Sequence, residues 1–217
     1  MMQRIITPDN SVTFHNLHFD EAYHSKSGAK EEAVKKFAEP CQIAGFAKKG
    51  NIRILDICFG LGYNSAAAID AALAVNSHCK IEVVGLEIDE EILYEILNMP
   101  DSFACYPLIK ETIKNNYNYT KDNLHITLIL GDAVQTIKQI KGEFDAVLLD
   151  PFSPKKCPQL WTKEFFDDIY SRMKPNSRLA TYSCARVVRD NLKNAGFQIF
   201  DGPKLWRRGP STIAVKK

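Results

Sequence analysis

Short apolar segments alternate with amphipathic segments along most of the 217-residue chain. Runs rich in Ile, Val and Leu predict strands at residues 52–57, 81–87, 125–130, 144–149 and 178–182. Segments with helical periodicity follow them, near residues 64–75, 89–98, 133–140, 162–173 and 185–195. Two last strands are predicted at residues 197–201 and 211–215. Strands separated by helices predict an α/β fold, doubly wound around a mostly parallel seven-stranded sheet.

The first 47 residues follow a different pattern. Residues 1–20 alternate polar and apolar side chains, which predicts a short hairpin. Residues 21–47 predict a turn and then a helix, which Pro40 interrupts or ends. We therefore expect a small N-terminal extension over residues 1–47 and one compact α/β domain over residues 48–217. Within that domain, residues 99–124 are polar and predict a short helix and a loop.

The first strand of the domain leads into a turn that contains Gly60 and Gly62, and a helix-forming segment follows at once. Such a turn brings backbone N–H groups close to a bound nucleotide, although a strand–helix turn without a ligand has the same form. A dinucleotide fingerprint would need a third glycine, at the position that Ser65 occupies. Asp56 favours a cationic amino-acid group over a pyrophosphate, which a carboxylate would repel.

Acidic residues follow four predicted strands, at Asp56, Glu87, Asp132 and Asp150. Ligands of parallel α/β sheets bind beyond the carboxyl ends of the strands, so these acids indicate one candidate site. Purely structural roles stay open for them. Asp132 and Asp150 are also suited to cap the helices that follow, and Glu87 to a surface position.

The composition is that of an ordinary globular protein, with 45% hydrophobic and 25% charged residues. No apolar run approaches the roughly 18 residues of a membrane span, and the N-terminus lacks the pattern of a signal peptide. The six cysteines form no Cys-x-x-Cys pair, and no metal-ligand motif accompanies the histidines. We therefore expect a cytoplasmic protein with reduced thiols, no membrane association and no metal.

Charge is distributed unevenly along the chain. Residues 151–217 contain 14 Lys and Arg against 5 Asp and Glu, a net charge of +9. The remaining residues, 1–150, contain 14 Lys and Arg against 21 Asp and Glu, a net charge of −7. A basic C-terminal third suggests a polyanion docked on one side, although solvated helix faces would give the same count.

The glycine turn and Glu87, at the end of the next strand, resemble the cofactor site of class I S-adenosylmethionine-dependent methyltransferases. In that family the acid after the second strand accepts hydrogen bonds from both ribose hydroxyls. The resemblance therefore implies this role for Glu87, and an adenine-contacting turn at Gly131-Asp132-Ala133.

The segment Asp150-Pro151-Phe152-Ser153-Pro154 resembles the Asp/Asn-Pro-Pro-aromatic motif of enzymes that methylate amino nitrogens. Methyl transfer from a sulfonium is an in-line displacement, so the protein mainly aligns donor and acceptor. A carboxylate and a backbone carbonyl can hold the hydrogens of an amine and turn its lone pair toward the methyl group. The carboxylate can also accept or relay the proton that must leave an ammonium.

Four segments resemble, more closely, the methyltransferase domain of the MnmC-type tRNA wobble-uridine modification enzymes: residues 7–13, 21–32, the glycine turn and 149–161. Those enzymes convert 5-aminomethyl-2-thiouridine into 5-methylaminomethyl-2-thiouridine. The resemblance implies that the N-terminal extension covers bound S-adenosylmethionine, and that Asp150, Phe152 and Ser153 surround the reacting amine as catalytic residues. It implies cofactor contacts from Tyr23, Ser25, Gly28, Glu32, Asp56, Gly60, Gly62, Asn64, Glu87, Ile88, Asp132, Ala133 and Asp150.

The resemblance also implies a tRNA partner, bound at its anticodon stem-loop. Phosphate contacts are then expected from Lys155, Lys156, Arg207 and Arg208. The sequence departs from the family at Cys58, where glycine is usual, and at Pro151. The oxidase domain fused to many relatives has no room in 217 residues, so separate enzymes would supply the aminomethyl uridine.

Other functions remain open on the sequence. A polyamine aminopropyltransferase shares the sheet, the ribose acid and an acidic loop near Asp150, but it would need an acidic groove, and the C-terminal third is basic. A non-catalytic RNA-binding subunit with a methyltransferase fold would not need acids at four strand ends. A dehydrogenase would need the missing third glycine.

Overall fold

The computed structural model describes residues 2–25, 28–205 and 209–217. A small antiparallel sheet consists of β1 (Met2–Ile6), β2 (Val12–Asn16) and β3 (Glu21–Ala22). The central sheet contains β4 (Asn51–Ile57), β5 (Lys80–Glu87), β6 (Asn118–Lys121), β7 (Leu124–Leu130), β8 (Phe144–Leu149), β9 (Met173–Thr181), β10 (Gln198–Asp201) and β11 (Thr212–Val215). Their order across the sheet is β10-β11-β9-β8-β4-β5-β7-β6. The predicted α/β fold with a mostly parallel sheet is confirmed.

The helices lie between these strands, as the alternating pattern predicts. They are α1 (Ala29–Glu32), α2 (Ile43–Ala47), α3 (Tyr63–Val75), α4 (Glu90–Glu95), α5 (Tyr106–Lys114), α6 (Ala133–Gln139), α7 (Lys163–Ser171) and α8 (Arg186–Asn194). Helix α1 continues as a π-helical segment at Ala33–Ala38, and short 3₁₀ turns occupy Ile96–Asn98 and Pro158–Trp161. Within the described residues, no helix combines the length and apolarity needed to cross a lipid bilayer.

The sheet has one strand more than predicted, because β6 lies in the segment 99–124 that was expected to hold a short helix and a loop. Strand β6 pairs antiparallel with β7 at the edge of the sheet. Its side chains are mostly exposed, so its sequence lacks the apolar residues that mark the inner strands. A short polar edge strand resembles a loop in its sequence pattern.

Strands β4, β5, β7, β8 and β9 run parallel, so their carboxyl ends lie at one edge of the sheet. All six residues of β8 are buried, as expected for a strand covered on both faces. One face packs against α1, α2, α3 and α5, and the other against α6, α7 and α8. The site described below lies at the carboxyl edge of this layered core.

The N-terminal segment is tied to the rest of the fold by local hydrogen bonds. The hydroxyl of Ser11 accepts the backbone N–H of Ala29 at 3.0 Å, and Asp9 accepts that of Glu31 at 3.1 Å. The turn between β1 and β2 therefore satisfies N–H groups at the start of α1. The π-helical segment then packs against α3.

Candidate active site

The glycine turn after β4 adopts a conformation that explains its sequence. Gly60 and Gly62 have φ angles of 53° and 73°, which favour glycine. A Cβ atom on Gly62 would lie 2.8 Å from the Phe59 ring. Cys58 also has a positive φ, 65°, where an L-residue costs roughly 1–2 kcal/mol relative to the right-handed form. The family's usual glycine at that position would avoid this strain.

Glu87, at the end of β5, is buried beside the turn. Its Oε2 accepts the backbone N–H of Gly60 at 2.8 Å, and its Oε1 accepts those of Ile88 and Asp89 at 2.8 and 2.9 Å. Burial raises the pKa of Glu87, against these three hydrogen bonds, which lower it. The carboxylate is therefore fixed in position at a wall of the cavity described next.

A first cavity, with an empty volume of about 770 Å³, opens beyond the ends of β4, β5 and β7. Predicted cofactor residues line it: Tyr23, Gly60, Glu87, Ile88, Asp132, Ala133 and Asp150. Asp132 caps α6, accepting the N–H of Val134 at 2.9 Å, so the capping role predicted as its alternative is present, and its adenine contact stays a prediction. Ile88 is 65% exposed, which leaves an apolar surface free for a flat ring.

A second cavity, with an empty volume of about 780 Å³, lies on the other side of Asp150. It is lined by Glu21, Ala22, Tyr23, His24, Ser25, Glu32, Asp150, Pro151, Phe152, Ser153 and Tyr182. Tyr23, His24, Asp150 and Phe152 line both cavities. The two cavities therefore meet at these four residues, and the second one carries three carboxylates.

Asp150 is partly buried at this junction, immediately after β8. Its Oδ2 accepts a hydrogen bond from Nδ2 of Asn64, at 2.9 Å. Burial, and secondly the charge of Glu32, raise the pKa of Asp150 well above its usual value. A carboxylate with a raised pKa is suited to accept a proton near neutral pH.

Glu32 is buried beside the second cavity and has two fixed partners. Its Oε1 forms an ion pair with Nζ of Lys36 at 2.7 Å, and Lys36 is only 2% exposed. Its Oε2 accepts the backbone N–H of Ser25 at 2.6 Å. Lys36 of the π-helical segment thus holds Glu32 in place, and Glu32 in turn holds the backbone at Ser25.

Aromatic residues of the N-terminal segment cover the junction. The ring of Phe19 stacks on that of Phe152 at a centroid distance of 4.8 Å, and the ring of Tyr23 lies 5.1 Å from it. The Tyr23 hydroxyl donates to Asp89 at 2.5 Å. Burial, and secondly the hydrogen bond to Asp89, raise the pKa of Tyr23. Tyr23 therefore joins the region after β5 to the loop after β8, and it stays protonated.

Some predicted site residues lie outside both cavity walls. Gly28 stands at the start of α1, and Gly62 and Asn64 at the start of α3. Lys155 and Lys156 are exposed on the loop after β8. Arg207 and Arg208 lie outside the described residues.

Asp56 is fully buried beneath the glycine turn. Its Oδ2 accepts the Ser65 hydroxyl at 2.6 Å, while its Oδ1 has no hydrogen-bond partner among the described residues. Burial raises the pKa of Asp56 to about 8. Its predicted contact with a cationic group of the cofactor stays a prediction.

Asp56→Asn is expected to flatten the dependence of stability on pH. The folded-state pKa lies above the ordinary value of 3.8, so this group stabilises the fold most below about pH 4, and loses that contribution as pH rises to about 8. Between these values, the free energy of unfolding of the unmodified chain should fall relative to the variant by at most about 1.4 kcal/mol per pH unit. Urea unfolding of both proteins across this pH range measures the difference in the free energy of unfolding. If that difference did not change with pH, the raised pKa of Asp56 would be contradicted.

Several residues of the site are not among the predicted site residues. Glu21 and Tyr182 line the second cavity, and Lys36 pairs with Glu32. His24 lines both cavities, and burial lowers its pKa to about 4, so its imidazole is neutral. Glu21 lies in the segment 21–32 that resembles the family, but the sequence alone assigns no contact to its side chain, and Lys36 lies outside that segment. The spacing of Lys36 four residues after Glu32 does favour an ion pair on a helix.

The residues of the first cavity fit S-adenosylmethionine. Glu87 offers carboxylate oxygens at the wall, and Ile88 and Ala133 offer apolar surface for a purine. Beneath the turn, the buried oxygens Oδ1 of Asp56 and Oδ1 of Asn64 lack donors among the described residues, and an ammonium group would supply them. The fold and this site together define a class I S-adenosylmethionine-dependent methyltransferase.

Comparison with known proteins places the chain within that class. A family model described as S-adenosyl-L-methionine-dependent methyltransferase matches residues 100–217. The crystal structure of MnmC2 from Aquifex aeolicus superposes with a TM-score of 0.86, at 32% identity, over 99% of this chain and 70% of that one. The chain therefore belongs to the S-adenosylmethionine-dependent methyltransferases of the MnmC type, and S-adenosylmethionine is its cofactor.

Two further relatives show how the lengths compare. The uncharacterized protein MJ0670 of Methanocaldococcus jannaschii is 35% identical, over 97% of this chain and 58% of that protein. The tRNA 5-methylaminomethyl-2-thiouridine biosynthesis bifunctional protein MnmC of Leptospira interrogans is 27% identical, over 94% of this chain and 34% of that protein. The chain thus spans just over half of the first relative and about a third of the second.

Proposed function

We propose that the chain methylates the primary amine of a 5-aminomethyl group on the wobble uridine of tRNA, with or without a 2-thio group. The observation that carries this proposal is the meeting of the two cavities at Asp150. One cavity fits the methyl donor, and the other presents carboxylates to a cationic acceptor. The name of the MnmC relatives gives tRNA and a methylaminomethyl-thiouridine as the target of those proteins, and the proposal adopts this target for the chain.

The chemistry assigns a task to each group at the junction. S-adenosylmethionine supplies an electrophilic methyl group: its carbon–sulfur bond breaks as a carbon–nitrogen bond forms, and S-adenosylhomocysteine is the second product. Asp150 holds a hydrogen of the amine and takes up the proton that frees the lone pair. Asn64, which donates to Asp150, fixes the direction of that carboxylate. Phe152 and Tyr23 exclude water from the junction and offer rings against which an unpaired base can stack.

The acceptor must carry its aminomethyl group before it enters the second cavity. Methyl transfer to an amine does not itself create that amine. We therefore propose that separate enzymes supply the aminomethyl uridine.

A direct test is incubation of the chain with labelled S-adenosylmethionine and tRNA that carries 5-aminomethyluridine. Nucleoside mass analysis should show 5-methylaminomethyluridine at the wobble position. The same tRNA without the aminomethyl group is the control and should stay unlabelled. Label at another nucleotide, or none, would contradict the proposal.

The acid-lined second cavity also favours a second candidate, transfer of an aminopropyl group to a polyamine. Glu21, Glu32 and Asp150 provide the acidic groove that such an acceptor requires. Incubation with a diamine and decarboxylated S-adenosylmethionine tests it. A polyamine product there, with no methylated tRNA, would replace the first proposal by the second.

Lys155→Ala together with Lys156→Ala is expected to weaken tRNA binding and to reduce its salt dependence. Both lysines are exposed on the loop that carries Asp150, and Lys156 lies 3.8 Å from Asp20. If both contact phosphates, the slope of log K against log salt should fall in magnitude by about 1–2. The matched control is Lys48→Ala with Lys49→Ala, which removes equal charge just before β4, at the opposite edge of the sheet. An unaltered slope in the first variant would exclude these contacts.

A further inference from the structure

Glu21 makes a contact that links the N-terminal sheet to the loop carrying Asp150. Its Oε2 accepts the backbone N–H of Ser153 at 2.7 Å, and its Oε1 accepts the hydroxyl of the same serine. Glu21 lies on β3, 132 residues away in sequence. Both residues line the second cavity. One glutamate thus fixes both the backbone and the hydroxyl orientation of Ser153.

This contact decides which kind of group Ser153 offers to the cavity. A serine hydroxyl has one hydrogen to donate and two lone pairs to accept with. Because its hydrogen points to Glu21, the oxygen of Ser153 can only accept hydrogen bonds from a ligand. An acceptor-only oxygen beside carboxylates matches an ammonium, whose hydrogens are all donors, and opposes a carbonyl or a carboxylate. A hydroxyl can also donate to this oxygen, but its neutral hydrogen bond is weaker than the charge-assisted bond of an ammonium.

We propose that Glu21 is a positioning residue that acts through Ser153 and makes the second cavity selective for an ammonium over a hydroxyl. The proposal rests on the proposed function, because it concerns the amine acceptor of that reaction. Other contacts support a fixed arrangement around Ser153. The carbonyl of Phe152 accepts the indole N–H of Trp161 at 2.8 Å, and that of Pro151 accepts the Tyr182 hydroxyl at 3.0 Å.

Glu21→Gln separates this role from simple packing. The glutamine amide keeps the shape of the side chain but can donate to the Ser153 oxygen, which frees the serine hydrogen to point into the cavity. An ammonium cannot accept that hydrogen, whereas a hydroxyl can, so the variant should lose affinity for the ammonium alone. Glu39→Gln is the matched control, since Glu39 is an exposed carboxylate paired with Lys35 on the surface.

The experiment is calorimetric binding of two nucleosides, 5-aminomethyluridine and 5-hydroxymethyluridine, to the full chain in the presence of S-adenosylhomocysteine. The unmodified chain and Glu39→Gln should both prefer the amine. In Glu21→Gln the ratio of the two affinities should fall by about tenfold or more. Glu21→Asp, which keeps the charge, should recover part of the preference.

A double-mutant cycle checks that Glu21 acts through the serine. Ser153→Ala should reduce the preference, and adding Glu21→Gln to it should lower the ratio by less than in the unmodified chain. Independent, additive effects would overturn the proposal, as would an unchanged ratio in Glu21→Gln or no preference in the unmodified chain. The tRNA methylation assay reports on the proposed function separately, since it can succeed while this ratio stays constant.

Discussion

Asp150→Ala is expected to lower kcat/KM for methyl transfer by about 10²–10⁴-fold, the range usual for loss of a positioned proton acceptor. The side chain lies where the two cavities meet and is oriented by Asn64 at 2.9 Å. Without it, the amine keeps its proton and loses the group that directs its lone pair. Affinity for S-adenosylhomocysteine should change little, because Glu87 and the glycine turn remain. Transfer kinetics and calorimetric binding measure the two quantities.

Two further variants sharpen this test. Asp150→Asn keeps the shape and removes the charge, so it should lose nearly as much activity as the alanine variant. Asp190→Ala is the control, because Asp190 is an exposed aspartate whose partner is Arg186 on the same helix, α8. Normal turnover in Asp150→Asn would contradict the role of the charge.

Glu87→Ala is expected to weaken binding of S-adenosylmethionine by about 10²–10⁴-fold, since two hydrogen bonds to a charged group each contribute about 1.5–3 kcal/mol. The carboxylate is positioned by three backbone N–H groups, which aim it at the first cavity. The same bonds hold the glycine turn, so the alanine variant also loses stability. Isothermal calorimetry with S-adenosylhomocysteine measures the affinity.

Glu87→Gln distinguishes the ligand contact from the structural one. Its amide oxygen can still accept backbone N–H groups, so the melting temperature should fall less than in the alanine variant, while the affinity falls clearly. Glu91→Ala, on the exposed first turn of α4, should change neither quantity. A folded Glu87→Gln variant with normal affinity for S-adenosylhomocysteine would show that the Glu87 carboxylate does not bind the cofactor.

The sequence pattern was sufficient for the parallel core and for the edge that carries the site. Buried strands such as β8 have apolar runs, and turns with glycine mark their ends, so both features are local in sequence. Strand β6 was missed because a polar edge strand buries little. Its pairing with β7 is a tertiary contact, which no local pattern encodes.

The first cavity was more predictable than the second. Gly60, Glu87 and Asp132 belong to motifs, and they line the first cavity as a resemblance to methyltransferases implies. Glu21 reaches Ser153 across 132 residues, and its place in the segment 21–32 does not by itself indicate that contact. Contacts of this kind depend on how the N-terminal sheet docks, and docking follows from the complete fold.

A crystal structure of the chain with S-adenosylhomocysteine and 5-aminomethyluridine bound together would show where methyl transfer takes place. We expect the ribose of the cofactor product at Glu87, and the primary amine of the nucleoside in the second cavity, within hydrogen-bonding distance of Asp150. The amine nitrogen should face the sulfur of the cofactor product. An amine bound elsewhere, or a cofactor product that does not approach Asp150, would show that methyl transfer does not take place where the two cavities meet.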